Sequence, residues 1–498
     1  MVTAADQEHA DAAWQPIADT DDTDVPIAKL AAQVAHRIEA DVMRWGWPVD
    51  EPLGSEQELR ERYGISRAVL REAVRLVEHH RVARMRRGPG GGLIICAPDA
   101  GPATRSLVIY LEYLGTSVTD LLQARLLLEP IAVGLAAERI TEDGIDTLRA
   151  ALDEEEAHRD DRANRSYERL HPLLGELSGN PALHLFIDVL TRLTARYSHT
   201  SRRLSKATVR EAKETAHEAH RAIADSVIAG DGARAQTTLA GHLERVASWI
   251  EEHRVRRARV AGAVIEPEVA DGSRAKLAEV VAARIHDDIA ARGWQIGSAL
   301  GSEADLLARY GISRAVLREA VRLLEYHSVA RMRRGPGGGL IVTEPEPQAS
   351  IDTMALYLEY QSVTADDLRV VRDAIELGTV ARVTQRHLDG DAEVAERLSS
   401  AVRWPGEGPA DQPRKADLFH SELAELAGNP VLSLFLDVIT DLFRRHASGQ
   451  DRTLPGDAAA EEVQHVHQRI LDAITDGDTG VARHRMRRHL DALSPWWH

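Results

Sequence analysis

The sequence predicts a mainly α-helical chain: two winged helix-turn-helix domains, each followed by an all-helical bundle, arranged as a tandem duplication. Three observations predict it. The stretch Leu53–Ile95 recurs at Leu300–Val342 with 35 of 43 positions identical, and the same offset of 247 pairs Lys29 with Lys276, Trp47 with Trp294, and Tyr110-Leu-Glu-Tyr113 with Tyr357-Leu-Glu-Tyr360. Each recurrence reads as two short helices around a Gly turn, followed by a Gly-rich hairpin. Elsewhere long amphipathic segments, poor in aromatic residues, are broken by Gly or Asn-Pro.

Residues 1–25 hold seven acidic residues, no Lys or Arg and no apolar periodicity, the composition of a solvated, disordered tail. From Pro26, Leu30, Val34, Ile38 and Val42 recur at helical spacing, and Leu277, Val281, Ile285 and Ile289 repeat them. Ser55 with Glu58 forms a capping box that starts the next helix. Gly64 stops that helix, and Ser66 caps another whose Val69, Ala73, Leu76 and Val77 share an apolar face. Arg67, Arg71 and Arg75 share its outer face, with Arg314, Arg318 and Arg322 matching them in the second copy. Met85-Arg-Arg87 and Leu93-Ile-Ile95 then flank Gly88-Pro-Gly-Gly-Gly92, a hairpin with a basic tip and bare backbone.

Two helices at a Gly turn, with guanidiniums projecting from the second, suit entry into a DNA major groove. Ser66, Arg67, Arg71, Arg75, Arg87 and Gly88, with Ser313, Arg314, Arg318, Arg322, Arg334 and Gly335, are the candidate DNA-binding residues. A stripe of arginines on an amphipathic helix is also what a solvated face looks like. The Gly run is not a nucleotide-phosphate loop, because it lacks the Lys-Ser/Thr ending and precedes a strand.

The division is a tail over 1–25, a winged domain over 26–97, a helical domain over 105–260, a linker over 261–272, a second winged domain over 273–343 and a second helical domain over 350–498. In the helical regions Ser178–Leu193 is echoed by Ala427–Leu442 with ten of sixteen positions identical. The net charge of −17 argues against a generally basic nucleic-acid coat, yet Leu53–Ile95 holds nine Arg against five Glu. The basic footprint is therefore local. Cys96 is the only cysteine, so no intrachain disulfide forms. With no signal segment and no apolar run of membrane-spanning length, a cytoplasmic protein is expected.

These residues resemble the GntR family of bacterial transcription regulators. Leu53-Gly-Ser-Glu56, Ile65-Ser-Arg-Ala-Val-Leu-Arg-Glu-Ala73 and the Gly88–Gly92 wing carry the resemblance. Gly54 and Gly301 depart from the family by replacing Pro, and Gln57 and Ala304 by standing where a DNA-contacting Arg is frequent. A winged domain followed by a helical one resembles the FadR subgroup, whose helical FCD domain binds a small effector. The resemblance covers nearly the whole chain, twice.

Three histidines recur in both helical regions: His171, His220 and His242, then His420, His467 and His489. Neutral imidazoles kept at matching positions while neighbours diverge point to a ligand set for a divalent metal of the zinc, nickel or manganese class. Hydrogen-bonded core histidines are the alternative. These positions match the metal-binding histidines of many FCD domains, which add an Asp four residues before the first. Tyr167 and Ala416 stand there in this chain, and Glu168 and Asp417, three residues before, are the candidate carboxylates. Arg125 and Arg372, four residues before Glu129 and Glu376, match the start of the family's helical domain. Each pairs either with an effector carboxylate or with that Glu one turn on.

The reading is a transcription regulator that binds a near-palindromic double-stranded operator and senses a small molecule, an organic acid alone or held through a metal. A metal-dependent enzyme built on the three-His sites is the rival, although His217-Glu-Ala-His220 has the wrong spacing for the zinc-protease motif. Fusion of the copies predicts a pseudo-dimer within one chain; pairing of two chains is the alternative.

Overall fold

The computed structural model describes residues 27–86, 88, 91–98, 100–158, 169–198, 205–253, 274–333, 335, 338–403, 412–448 and 457–493. The tail expected over 1–25 and the linker over 261–272 lie outside them. Among the described residues the chain has twenty helices and two three-stranded sheets.

The first winged domain runs α1 (Ile27–Arg44), β1 (Pro52–Gly54), α2 (Glu56–Tyr63), α3 (Arg67–His79), β2 (Ala83–Arg86) and β3 (Gly92–Ile95). The caps read from sequence are present. Ser55 Oγ accepts from the Glu58 amide at 3.3 Å while Glu58 accepts from the Ser55 amide at 2.7 Å. Gly64 takes the left-handed conformation at φ 62° that ends α2, and Ser66 caps α3 through the Val69 amide at 3.4 Å. The buried face of α3 is Val69, Leu70, Ala73, Val74 and Val77, so Leu76 sits at its margin, not at its centre. The sheet has order β1-β3-β2, antiparallel throughout. Its third strand, β1, has no sequence signal beyond the Pro52–Gly54 turn residues. Gly92 is required here because a Cβ would lie 2.6 Å from the Gly54 carbonyl oxygen.

The first helical domain follows as α4 (Ala100–Tyr113), α5 (Val118–Arg139), α6 (Glu142–Ala157), α7 (Leu170–Leu177), α8 (Pro181–Ser198), α9 (Lys206–Ile228) and α10 (Gly232–His253). Helices α5, α6, α7, α9 and α10 enclose one apolar core that includes Val133, Leu148, Leu174, Ile223 and Leu239. The second copy repeats the order with α11 (Arg274–Ala291), β4 (Ala299–Gly301), α12 (Glu303–Tyr310), α13 (Arg314–Tyr326), β5 (Ala330–Arg333) and β6 (Gly339–Val342). Then come α14 (Pro347–Tyr360), α15 (Ala365–Leu388), α16 (Glu393–Val402), α17 (Gln412–Leu426), α18 (Pro430–Ser448), α19 (Asp457–Thr475) and α20 (Thr479–Leu493). One position departs from the predicted periodicity: Leu277 is 47% exposed, and Ala278 takes the core position on α11 instead.

Two compact units are present. One holds the first winged domain together with Leu356–Gln361, and the other holds the second winged domain and both helical domains. Within the first, Leu356 enters the winged core and the rings of Tyr360 and Trp47 lie 5.2 Å apart. Within the second, Ile109 packs against the core of the second winged domain and Tyr113 meets Trp294 at 5.4 Å. Since Ile109 and Leu356, Tyr113 and Tyr360, and Trp47 and Trp294 are all related by the repeat, the copies exchange these helices. Each winged core receives the connecting helix of the other copy.

The helical domains meet through reciprocal contacts. Asn180 caps α8 by accepting from the Ala182 and Leu183 amides at 3.0 and 3.1 Å, and its amide nitrogen donates to the Asp367 carbonyl at 3.0 Å. Asn429 does the same for α18 and donates to the Asp120 carbonyl at 3.0 Å. Phe186 stacks on Phe435 with centroids 3.9 Å apart and planes 5° apart. Such contacts are those of an isologous two-fold interface, here formed within one chain. Phe186→Ala with Phe435→Ala should therefore cost about 3 to 5 kcal/mol per ring, read as a lowered urea midpoint; an unchanged midpoint would show that the stack does not hold the domains.

Candidate functional site

On the recognition helix α3, Arg67 and Arg71 are exposed and Arg75 is half-buried; Arg314, Arg318 and Arg322 on α13 repeat this. Arg67 Nε donates to Glu56 at 2.5 Å and Arg75 to Glu72 at 2.7 Å. In the second copy Arg322 reaches Glu319 at 3.2 Å, while Arg314 and Glu303 stand 3.6 Å apart. These pairings hold the flanking arginines along the helix surface, and the middle arginine points to solvent. Ser66 and Ser313 spend their hydroxyls on capping. Gly88 and Gly335 lie at the wing tips with φ 103° and 97°, a left-handed backbone that suits glycine. Arg87 and Arg334, expected beside them, lie outside the described residues.

Inside each helical domain the three predicted histidines come together, with ligand atoms within 4.8 Å of one another. His171 comes from α7, His220 from α9 and His242 from α10; His420, His467 and His489 come from α17, α19 and α20. All six are buried. His171 Nδ1 donates to Glu129 Oε2 at 2.6 Å, which leaves Nε2 free to face its partners. His220 Nδ1 donates to Glu155 at 2.9 Å, and its Nε2 lies 3.3 Å from His242 Nε2. In the second domain His420 Nδ1 donates to Glu376, and His489 Nε2 lies 3.2 Å from His420 Nε2 and 3.0 Å from His467 Nε2.

The electrostatics favour neutral rings. Burial holds His171 below the usual histidine range and lowers His220 to about 3, with His217 and Arg125 adding to it. Burial likewise drives His242 and His467 far down and His489 to about 3. Burial pushes the Glu129 carboxyl up, but Arg125 and then His171 outweigh it and hold it at about 2. Glu376 is held at about 2 in the same way by His420 and Arg372. Glu155 is raised to about 7 by burial.

The donor set fits a divalent cation. His489 Nε2 is one ring nitrogen, either donor or acceptor, and cannot hydrogen-bond both His467 Nε2 and the bare Nε2 of His420, so at least one of the two close contacts holds no hydrogen. Nitrogens on a tetrahedral zinc ion, at about 2.0–2.1 Å from the metal, would stand roughly 3.3 Å apart, close to the 3.0–3.3 Å seen here.

Arg125 and Arg372 each pair with the Glu one turn on. Arg125 Nε donates to Glu129 Oε1, and Arg372 Nε donates to Glu376 Oε1 at 2.8 Å. Each Glu thus links an arginine to the first histidine. Of the predicted carboxylates, Glu168 lies outside the described residues, as does the side chain of Asp417. Sequence reasoning missed Glu155 and His217. Glu155 sits in Glu154-Glu-Glu156, which reads as a solvated run, and His217 shares the Glu155 carboxylate at 3.2 Å.

Residues 30–92 and 277–339 match the bacterial regulatory proteins of the gntR family, and residues 120–245 and 367–492 match the FCD domain. The chain belongs to the GntR family. It is a DNA-binding transcription regulator whose FCD domains sense a small molecule. This GntR-family chain is 29% identical over 223 residues to the putative L-lactate dehydrogenase operon regulatory protein of Escherichia coli, covering 43% of this chain and 84% of the relative. To the HTH-type transcriptional repressor NanR of Enterobacter sp. it is 27% identical over 226 residues, 44% of this chain and 85% of the relative. A solved GntR structure from Streptococcus agalactiae covers 44% of this chain and 99% of its own, at 25% identity and a TM-score of 0.34. Both curated relatives match less than half of this chain over most of their own length. No described helix is long and apolar enough to cross a membrane.

If Glu129 is the hinge of the buried Arg125–Glu129–His171 chain, Glu129→Gln strands an unpaired guanidinium and should cost about 3 to 5 kcal/mol. Urea unfolding with chelator present measures it; a loss below 1 kcal/mol would show that Arg125 finds solvent without its partner.

Proposed function

We propose that this regulator acts as a pseudo-dimer within one chain, its two winged domains reading near-palindromic half-sites of one operator in the cytoplasm. The observation that carries the reading is the reciprocal Asn180–Asp367 and Asn429–Asp120 contact, a two-fold pairing of the helical domains inside one polypeptide. Ser66–Leu76 and Ser313–Leu323 are identical, so both recognition helices offer the same side chains to DNA. Arg71 and Arg318 read base edges, Arg67, Arg75, Arg314 and Arg322 and the capping serines hold the backbone, and Gly88 and Gly335 with Arg87 and Arg334 bring the wings against the sugar-phosphate chain.

The FCD domains hold a divalent cation of the zinc, nickel or manganese class. His171, His220 and His242 would bind one ion and His420, His467 and His489 another; Glu168 and Asp417 are candidate added carboxylates. A bound cation would supply a Lewis-acid anchor for an anionic effector. An organic acid is the effector class this chemistry favours, and the relative named for an L-lactate dehydrogenase operon points the same way. Arg125 and Arg372 act on the effector through Glu129 and Glu376, which orient the first histidine of each site. The chain is read as a regulator and not a hydrolase, since family and relatives are regulators; metal-dependent substrate turnover without DNA would overturn this.

Replacing Arg71 and Arg318 together by Ala should weaken operator binding by about 1 to 3 kcal/mol per lost base contact and flatten discrimination at that base. Unchanged affinity across a salt titration would exclude α3 and α13 as the readers. Light scattering on a short operator should give one 54.8 kDa chain per site; two chains on a minimal site would support pairing between chains. Elemental analysis of protein purified without chelator should find a divalent metal, and none, together with no thermal shift on adding zinc, nickel or manganese, would leave the histidines as core hydrogen-bonding groups.

A further inference from the structure

Although the two three-histidine clusters share their geometry, what stands behind the second histidine differs between them. In the first domain the Glu155 carboxylate accepts from Nδ1 of His220 at 2.9 and 3.1 Å and from Nδ1 of His217 at 3.2 Å. Glu155 is fully buried near the end of α6. In the second domain the corresponding α16 ends in Ser399-Ser-Ala-Val402, with no acid in its last turn. The carbonyl of the buried Val402 accepts from Gln464 at 3.1 Å, and Gln464 occupies the repeat position of His217. There His467 is packed by its face, with Phe419 stacked on it at 4.3 Å and 18°, where the first copy has Leu170. Among the described residues no carboxylate bonds His467 Nδ1.

We propose that the clusters are inequivalent sites for a divalent cation, and that Glu155 is a positioning residue that makes the His171–His220–His242 site the tighter one. The proposal rests on the metal reading given above. A carboxylate on Nδ1 fixes the proton there, leaves Nε2 as the lone-pair donor, and locks the ring plane before the ion arrives. Phe419 fixes the plane of His467 but leaves its tautomer free, so binding must first select the competent form. Glu155 also adds an acidic group near the cation, where a buried positive charge is costly. Among the described residues, the first site has two glutamates behind its ligands, Glu129 and Glu155, and the second has Glu376.

The test is a calorimetric titration of the full chain, stripped by chelator, with zinc alone. The wild type should show two classes of site. His220→Ala should remove the tighter class and His467→Ala the weaker, an assignment that does not depend on any Glu155 variant folding. Glu155→Gln should weaken the tighter class by about 10- to 100-fold and leave the other unmoved, while Glu155→Asp, which keeps the charge, should lose less. A structural role alone would lower the metal-free melting temperature without this class-specific loss. With cobalt in place of zinc, only the absorption bands removed by His220→Ala should shift in Glu155→Gln. Two equal classes, a tighter class that disappears with His467→Ala, or a Glu155→Gln variant with both affinities intact would overturn the proposal while leaving metal binding standing. No binding of either class would overturn the metal reading itself.

Discussion

A self-complementary surface on the helical domain is the constraint on which the rest of this structure depends. Asn180 and Asn429 each use the side-chain oxygen to cap their own helix and the side-chain nitrogen to reach a backbone carbonyl of the other copy. No other residue type offers both groups on so short a stem, and Pro181 or Pro430 beside it is pre-set for the first helical position. The same Gly-Asn-Pro that reads as a helix break is therefore also the joint between copies. The Phe186–Phe435 stack supplies apolar burial next to it. With both partners on one chain, association carries no concentration-dependent cost.

Behind the joint, each helical domain keeps a buried charge relay from arginine through glutamate to histidine. An isolated carboxylate in such a core would be raised and neutralised; paired with Arg125 or Arg372 it stays ionised and can orient an imidazole. This arrangement costs stability relative to an apolar core of similar volume. Its presence in both copies, at matching positions, is what a site needing a fixed tautomer and a bare Nε2 requires. Glu155 is instead bonded by His217 and His220, and burial raises its carboxyl to about 7.

The copies have diverged unevenly. Every residue of the recognition helices from Ser66 to Leu76 is retained at Ser313 to Leu323, whereas Gln57, Arg60 and Arg81 have become Ala304, Leu307 and Ser328. The helical cores diverge further, and it is there that Phe419 replaces Leu170 and Gln464 replaces His217. The recognition helices are thus retained in full while the surroundings of the second histidine of each cluster have changed.

Much of the fold was legible because its signals are local. Ser55 with Glu58, Gly64, and Ser66 act within one turn of chain, so caps, helix ends and the exposed Arg71 could be read from neighbours alone. Comparing the copies exposed the six histidines, because a repeat serves as an internal alignment. Long-range geometry was not legible. The exchange that brings Ile109 to one winged core and Leu356 to the other leaves no mark in either sequence segment, since an apolar helix face specifies burial and not its partner. The pairing of Arg125 with Glu129 could be read one turn apart, but only the fold joins that pair to His171. Glu155 looked like one acid of a solvated run because burial is a property of packed helices. Sequence by itself determined the duplication, the winged element and the histidine set; tertiary structure decided which copy each connecting helix serves and which carboxylates stand behind the histidines, because those depend on contacts between residues tens to hundreds of positions apart.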